Sequence, residues 1–345
     1  MRTVYLIRHA MPEIPFGERW CVGGNTDLPL GALGRMQAAL LPSLPELRGV
    51  QAVFCSTLSR AIETALPLCP APRVIGGLEE QRMGVWDGLS FREIKERFPL
   101  LYEAREADPS LLPEGAEPLE AVRERMRQAL LRCLAESEGD IAIVTHRTAM
   151  SSLIGRRELL LHASVSVLRW DGEHYETEAY GVRPHPPLTR ELAERLLQAA
   201  APGERIEAHC RAVAAEAQRI ADALPLELDG ELLACAALLH DVARKEKDHA
   251  RLGAAWLREL GYADAAAIVE QHHDWQDGAI DEAALLFLAD KCVREDRRVS
   301  LEERFGESEN RCLTPEARAA HAARKAAALR LRDQINTLCG QTLIK

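Results

Sequence analysis

Nine cysteines run through the chain without one C-x-x-C pair, and their odd number leaves one over. That argues against a disulfide framework and for reduced, mostly buried thiols in a cytosolic protein. Long apolar runs are missing too. The longest, "LLACAALL" at 232–239, is far too short to span a bilayer. The chain opens on a strand-like run with no basic-then-apolar leader, so a cytoplasmic location and no membrane partner are expected. Basic excess is also lacking: the net charge is −10. A general nucleic-acid surface is disfavoured, because phosphate-backbone binding draws on clustered Lys and Arg. What is there is the composition of a soluble globular protein, and its 345 residues exceed what one core usually serves. Two domains are therefore expected. Nothing in the sequence sets the oligomeric state.

Up to about Gly181 short β-branched runs ("TVYLI", "VQAVF", "IAIVTH", "SVSVLRW") alternate with helical patterns such as "GALGRMQAALLPSL" and "EAVRERMRQALLRCLAE". Alternation of this kind predicts an α/β domain with a mostly parallel sheet flanked by helices, over residues 1–182. Residues 183–188, rich in proline, read as a linker. From 189 to 345 the chain is rich in Ala, Leu, Glu and Arg at helical spacing, which predicts an all-α domain with a long C-terminal helix.

In "YLIRHAMPE" an apolar strand ends on Arg8 and His9. Alone, that pair is as easily an ordinary surface feature. A second strand ends at Ser56 before a helix carrying Arg60 in "CSTLSRAIETA", and a third ends on His146 in "IAIVTH". Parallel strands would bring Arg8, His9, Arg60 and His146 to one sheet edge, where ligands of open α/β sheets bind. Cations gathered there call for an anion, and guanidinium forks match phosphoryl oxygens.

The ordered motifs "LIRHA", "GNTDLPLGALGRMQA", "CSTLSRAIETA", "LEEQRMGVWDG" and "IAIVTH" resemble the histidine phosphatase (phosphoglycerate mutase-like) superfamily, most nearly its α-ribazole phosphatase branch. The resemblance implies that His9 is a nucleophile forming a phosphohistidine that water hydrolyses. It implies that Arg8, Arg60 and His146 hold the phosphoryl group, and that Glu80 gives a proton to the leaving oxygen. The solvated-loop reading of Glu80 stands beside that one, with Glu79 as neighbour. Thr26 and Arg147 join the candidate substrate contacts. Two departures bear on substrate size: Ala10 follows the nucleophile and Arg147 follows the second histidine, where the family usually has glycine. No cofactor is expected in this half.

The helical half holds "IEAHCRAV", "ALLHDVARK", "DHARLGA", "VEQHHDW" and "FLADK". An apolar helix would bury the adjacent His240 and Asp241, and buried charge needs a partner. With His209 and Asp290, four N/O ligands on three helices could surround one divalent ion. This H…HD…D order resembles the HD-domain phosphohydrolase superfamily, and the extra histidines resemble symmetrical diadenosine tetraphosphatases. The resemblance implies two ions of iron, manganese or zinc. His249 and His272 would hold the second, with Asp241 bridging and His273 competing with His272. A fainter similarity to HD-GYP cyclic-dinucleotide phosphodiesterases lacks the Gly-Tyr-Pro element. Arg244 and Lys245 could reach substrate phosphates or be solvated helix-end cations. The expectation is a bifunctional phosphohydrolase acting on a small phosphorylated metabolite or nucleotide. A sensory or binding protein, in which one domain lacks turnover and regulates the other, is the alternative.

Overall fold

Residues 1–156, 158–275, 278–309 and 312–345 are described by a computed structural model, in which the chain divides into the units Met1–Pro186 and Pro187–Lys345. The first is built on a six-stranded sheet: β1 (Arg2–Arg8), β2 (Ala52–Cys55), β3 (Arg73–Val74), β4 (Ile141–Thr145), β5 (Val165–Trp170) and β6 (Tyr175–Val182), in the order β3-β2-β4-β1-β5-β6. β3, β2, β4 and β1 are parallel, while β5 and β6 add antiparallel edges. β1 and β4 lie centrally with both faces covered, which is why they read as near-continuous apolar runs.

Helices α1 (Ala32–Leu40), α2 (Ser59–Ala65), α3 (Phe91–Arg97), α4 (Pro99–Ala107), α5 (Leu119–Ala135) and α6 (Arg147–Ile154) complete this unit. α5 buries Val122, Met126, Ala129, Leu130 and Cys133, a helical stripe that joins Leu6, Phe54 and Ile143 in one core cluster. α3 starts at Ser90, whose hydroxyl accepts from the Glu93 N–H while the Glu93 carboxylate accepts from the Ser90 N–H, a reciprocal capping box.

The second unit holds α7 (Arg190–Ala200), α8 (Glu204–Asp222), α9 (Gly230–Leu239), α10 (His249–Glu259), α11 (Ala263–Glu270) and α12 (Glu282–Cys292). A hairpin of two-residue strands, β7 (Val293–Arg294) and β8 (Arg297–Arg298), precedes α13 (Leu301–Glu309) and α14 (Pro315–Cys339). α14 has the expected end chemistry. Thr314 caps it, Pro315 opens it, and Gly340 closes it in the left-handed region. α9 is buried from Leu233 to Leu239 and α12 from Ala283 to Cys292, so both are apolar on all sides. Helices of that kind sit inside a bundle. Their polar ends therefore arrive deep in the unit.

Candidate active sites

In the first unit, Arg8 of β1 lies in register with Thr145 of β4, so the next residues, His9 and His146, emerge side by side. The His9 N–H donates to the Thr145 carbonyl at 2.9 Å, and the two imidazole centroids are 4.9 Å apart. His9 is only 4% exposed. Its Nδ1 lies 2.7 Å from the Ala10 carbonyl, an acceptor only, so Nδ1 carries the proton and Nε2 keeps its lone pair. Burial, then the charges of Arg60 and Arg8 and the neighbouring His146, hold the imidazole well below its usual pKa. Ala10 is fully buried, and its N–H donates to the Thr64 hydroxyl at 2.9 Å.

The neighbouring side chains leave donors open. Ser56 accepts from the Leu58 N–H, and its hydroxyl lies 2.9 Å from His146 Nε2. Arg60 is fully buried on α2 and spends its Nη groups on carbonyls, Thr26 at 2.6 Å and Gly23 at 3.2 Å. Arg8 donates Nη1 to the Leu160 carbonyl at 2.5 Å, and its Nη2 lies 2.8 Å from His162 Nε2. Burial pulls the Arg8 pKa down to about 10 despite Glu80. Three buried nitrogens then have no hydrogen-bond partner: Arg8 Nε, Arg60 Nε and His146 Nδ1. Buried polar nitrogens are rarely left so, and all three belong to residues grouped around His9.

Glu80 is 8% exposed, and its carboxylate accepts from the N–H groups of Thr148 at 3.1 Å and Ala149 at 3.2 Å, at the start of α6. Glu79 turns elsewhere, to Thr57 and the Gly77 N–H. Gly84, four residues on, has φ +55°, and a Cβ there would lie 1.9 Å from the Glu114 carbonyl oxygen. Only glycine closes that turn. Thr26 reaches the site through its carbonyl on Arg60, while its hydroxyl lies 3.5 Å from Asp87. Arg147 is exposed at the first position of α6.

Sequence reasoning passed over two contributors. His162 is 5.5 Å from His9, centroid to centroid, and grips Arg8. Arg125 on α5 donates to the carbonyls of Gly77, Glu79 and Glu80 and to the Glu117 carboxylate, pinning the loop that carries Glu80. Neither carries a local sequence signal. Their weight comes from partners tens of residues away.

In the second unit, the ends of α9 and α12 and the flanks of α8, α10 and α11 converge. His209 Nε2 lies 3.1 Å from Asp290 Oδ1, and His240 Nε2 lies 3.8 Å from the same oxygen and 3.7 Å from Asp241 Oδ2. Asp241 Oδ1 is 3.1 Å from His249 Nε2 and 3.7 Å from His272 Nε2. Asp241 thus faces two groups of donors with two oxygens. His209, His240 and Asp241 form one potential metal-holding group, and His249, His272 and His273 form another. His272 and His273 both stand beside His249, with His273 Nε2 2.9 Å from His249 Nε2. Gln276 and Asp277 of the "HHDWQDG" stretch lie outside the described residues.

A divalent ion fits the donor set. The buried His240 Nε2, His272 Nε2 and Asp241 Oδ1 have no hydrogen-bond partner. The other ring nitrogens of His209, His240 and His272 face the carbonyls of Glu295, Ala237 and Val269 at 2.7–2.8 Å, which fixes Nε2 as the ligand atom. Burial holds His272 well below its usual pKa and His273 at about 4. Burial opposes the charge on Asp290, but Lys291 and His209 outweigh it and hold the carboxyl well down. Ionised carboxylates and neutral imidazoles are the forms metal binding needs. Arg244 also touches the group, with Nη1 2.7 Å from His249 Nε2, whereas Lys245 turns to the Ala201 carbonyl. A cavity of about 420 Å³ opens onto His209 and Asp241, walled by Arg205, Arg244, Arg294 and Arg304.

The family model of the histidine phosphatase superfamily (branch 1) matches residues 4–183, and that of the HD domain matches 206–295. The bifunctional protein Rv2228c of Mycobacterium tuberculosis is 32% identical over 169 residues, 47% of this chain and 45% of that protein. The chain therefore spans less than half of that relative's length. A probable phosphoglycerate mutase, GpmB of Serratia proteamaculans, is 32% identical over 167 residues, covering 45% of this chain and 74% of that protein. Among solved structures, the α-ribazole phosphatase of Shigella flexneri aligns at 22% identity and a TM-score of 0.46, over 52% of this chain and 96% of that one. The chain belongs to the histidine phosphatase superfamily (branch 1), and an HD domain follows that part of it.

Proposed function

We propose that the protein is a bifunctional phosphohydrolase, with a metal-independent phosphomonoesterase in its first unit and a metal-dependent hydrolase of phosphoesters or phosphoanhydrides in its second. The observation that carries the first half is the trio of buried, unpartnered nitrogens around a neutral His9. His9 Nε2 attacks phosphorus while Arg8 Nε, Arg60 Nε and His146 Nδ1 take the phosphoryl oxygens. Phosphoryl transfer needs little more than such positioning and charge stabilisation. As the P–N bond forms and the P–O bond breaks, Glu80 gives its proton to the leaving oxygen. Water then attacks phosphorus, its proton goes to Glu80, and the P–N bond breaks to free His9.

In the second half, His209, His240, Asp241 and Asp290 would hold one ion. His249, His272 and His273 would hold the other, with Asp241 shared. Such ions supply charge neutralisation for phosphate oxygens and lower the pKa of water at the site. The chain's own residues fix the ligand nitrogens through helix carbonyls, and Arg244 stands ready for a phosphate oxygen. A nucleotide or another small phosphorylated metabolite suits the arginine-walled cavity. All nine cysteines are free and six are buried, which suits the reducing cytoplasm. Among the described residues no helix is long and apolar enough to cross a membrane.

The test is a metabolite panel run on the full chain, on His9→Ala and on Asp241→Ala, each with and without EDTA. His9→Ala should abolish EDTA-resistant phosphate release and spare EDTA-sensitive hydrolysis, and Asp241→Ala should do the reverse. A variant that abolishes both activities, or a well-folded protein inert on the whole panel, overturns the two-enzyme reading in favour of a binding module.

A further inference from the structure

We infer that Arg125, held by Glu117, is a positioning residue for Glu80: it fixes the backbone that carries the proton donor and so acts on departure of the leaving group. The inference rests on the reading of Glu80 as that donor and goes beyond it. Among the described residues Arg125 bonds to none of Arg8, His9, Arg60 and His146, so any effect it has on the reaction passes through the loop.

That loop needs outside partners. Between β3 and Gly84 the chain forms neither helix nor strand, so residues 76–82 have no ladder of their own. Their carbonyls must be satisfied from elsewhere. Arg125 reaches them from α5. Its Nη1 donates to the carbonyls of Gly77 at 2.9 Å and Glu79 at 2.6 Å, and its Nη2 donates to the Glu80 carbonyl at 3.0 Å.

Glu117 turns this contact into a clamp. It is 6% exposed, and its carboxylate accepts from Arg125 Nε at 2.8 Å and Nη2 at 2.9 Å. Arg125 thus makes five hydrogen bonds, as many as a guanidinium has N–H groups. The same glutamate holds the far side of Glu80. Its N–H donates to the Arg82 carbonyl at 2.9 Å, and its own carbonyl accepts from Gln81 Nε2 at 2.7 Å. The backbone is therefore gripped before and after Glu80, while the carboxylate meets the N–H groups of Thr148 and Ala149.

The neighbouring Arg127 shows what an ordinary arginine of α5 does: it pairs with Glu124, one turn away, in solvent. Arg125 instead spends every donor on the loop and on the glutamate that grips it. A general acid works only within hydrogen-bond reach of the atom it protonates. The phosphoryl-holding groups sit on or directly after β1, α2 and β4, so they do not depend on this loop. Loosening the clamp should then cost acid catalysis before it costs phosphoryl transfer itself.

The experiment sets ethyl phosphate against p-nitrophenyl phosphate, whose leaving group scarcely needs a proton, on the full-length protein. Arg125→Met should lower kcat/KM for ethyl phosphate about tenfold more than for p-nitrophenyl phosphate. Arg125→Lys, with three donors for five contacts, should fall between that variant and the wild type. In a Glu80→Gln background Arg125→Met should add no further difference between the substrates, since nothing is left to position. Thermal unfolding checks the fold of each variant, and Arg125→Lys carries the comparison if Arg125→Met does not fold. Equal losses on both substrates, or a difference that persists at full size beside Glu80→Gln, overturn the positioning role alone. If Glu80→Gln itself treats both substrates alike, the proton-donor reading falls too. A wild type inert on every phosphomonoester overturns the phosphatase reading as well.

Discussion

Replacing His162 with alanine removes the side-chain partner of Arg8 Nη2, 2.8 Å away, and leaves Nη1 on the Leu160 carbonyl. A hydrogen bond to a charged group contributes about 1.5–3 kcal/mol. One of the two anchors survives, so the lower end applies, and about tenfold in kcat/KM is expected at 1.36 kcal/mol per decade. His162→Asn should recover most of the loss, since an amide oxygen can accept from Nη2. The sign of the pH effect follows from the same contact. Burial and the Arg8 charge hold the His162 pKa well below its ordinary value, so the ring is neutral and Nε2 accepts. Protonation would turn that acceptor into a donor facing a cation, so its contribution is lost only as pH falls far below neutrality. The wild type and His162→Asn should therefore share the shape of their pH–rate profiles between roughly pH 6 and 8. The assay is steady-state hydrolysis of p-nitrophenyl phosphate across pH, with thermal unfolding as a check on folding. If alanine and asparagine lose activity equally at unchanged Tm, or alanine loses none, Arg8 is not positioned by His162.

Glu80→Gln should slow alkyl phosphates, whose leaving oxygen needs a proton, by about 100-fold more than p-nitrophenyl phosphate. Equal losses on both substrates would reduce Glu80 to a clamp on the start of α6. Protein purified without chelator should carry close to two equivalents of transition metal by elemental analysis. His249→Ala should lower that to about one, and Asp241→Ala, which removes the oxygens facing both groups, should empty both positions. A stoichiometry of one, indifferent to His249, refutes the paired arrangement.

The parts of the fold legible in the sequence were those whose local pattern matches their burial. β1, β2 and β4 are largely enclosed and read as apolar runs, while α9 and α12 are apolar on every side. β3 has two exposed residues and β6 alternates at a half-exposed edge, so neither gives a run to find. The β7–β8 hairpin has two residues per strand, too short for any periodicity. The sites divide the same way. His9, Arg60 and His146 end or follow buried strands, His240 and Asp241 follow the apolar α9, and Asp290 interrupts the apolar α12. His162 matters only because β1 pairs with β5, which puts it against Arg8 across 154 residues of chain. Arg125 is one of several arginines on α5, and only the fold shows that it binds the Gly77, Glu79 and Glu80 carbonyls.

Both sites solve one electrostatic problem, and burial does the same work in each with opposite partners. A phosphoryl nucleophile must keep a lone pair beside groups that attract a dianion. In the first unit burial, His146 and the charges of Arg60 and Arg8 disfavour a proton on His9, and under the proposed function those two arginines would also attract the phosphate. On that reading the side chains that hold the substrate also keep the nucleophile ready. In the second unit the carboxylates of Asp241 and Asp290 would favour protonated imidazoles around them. At His240 burial outweighs both carboxylates, and its pKa falls. His272, buried beside Lys291 and two other histidines, falls further. His209, less enclosed and in contact with Asp290, moves the other way. A neutral imidazole lone pair would attack phosphorus in one half, and in the other half such lone pairs are fit to bind a cation. What separates the two chemistries is the sign of the charge packed beside them, arginine around His9 and aspartate around His240.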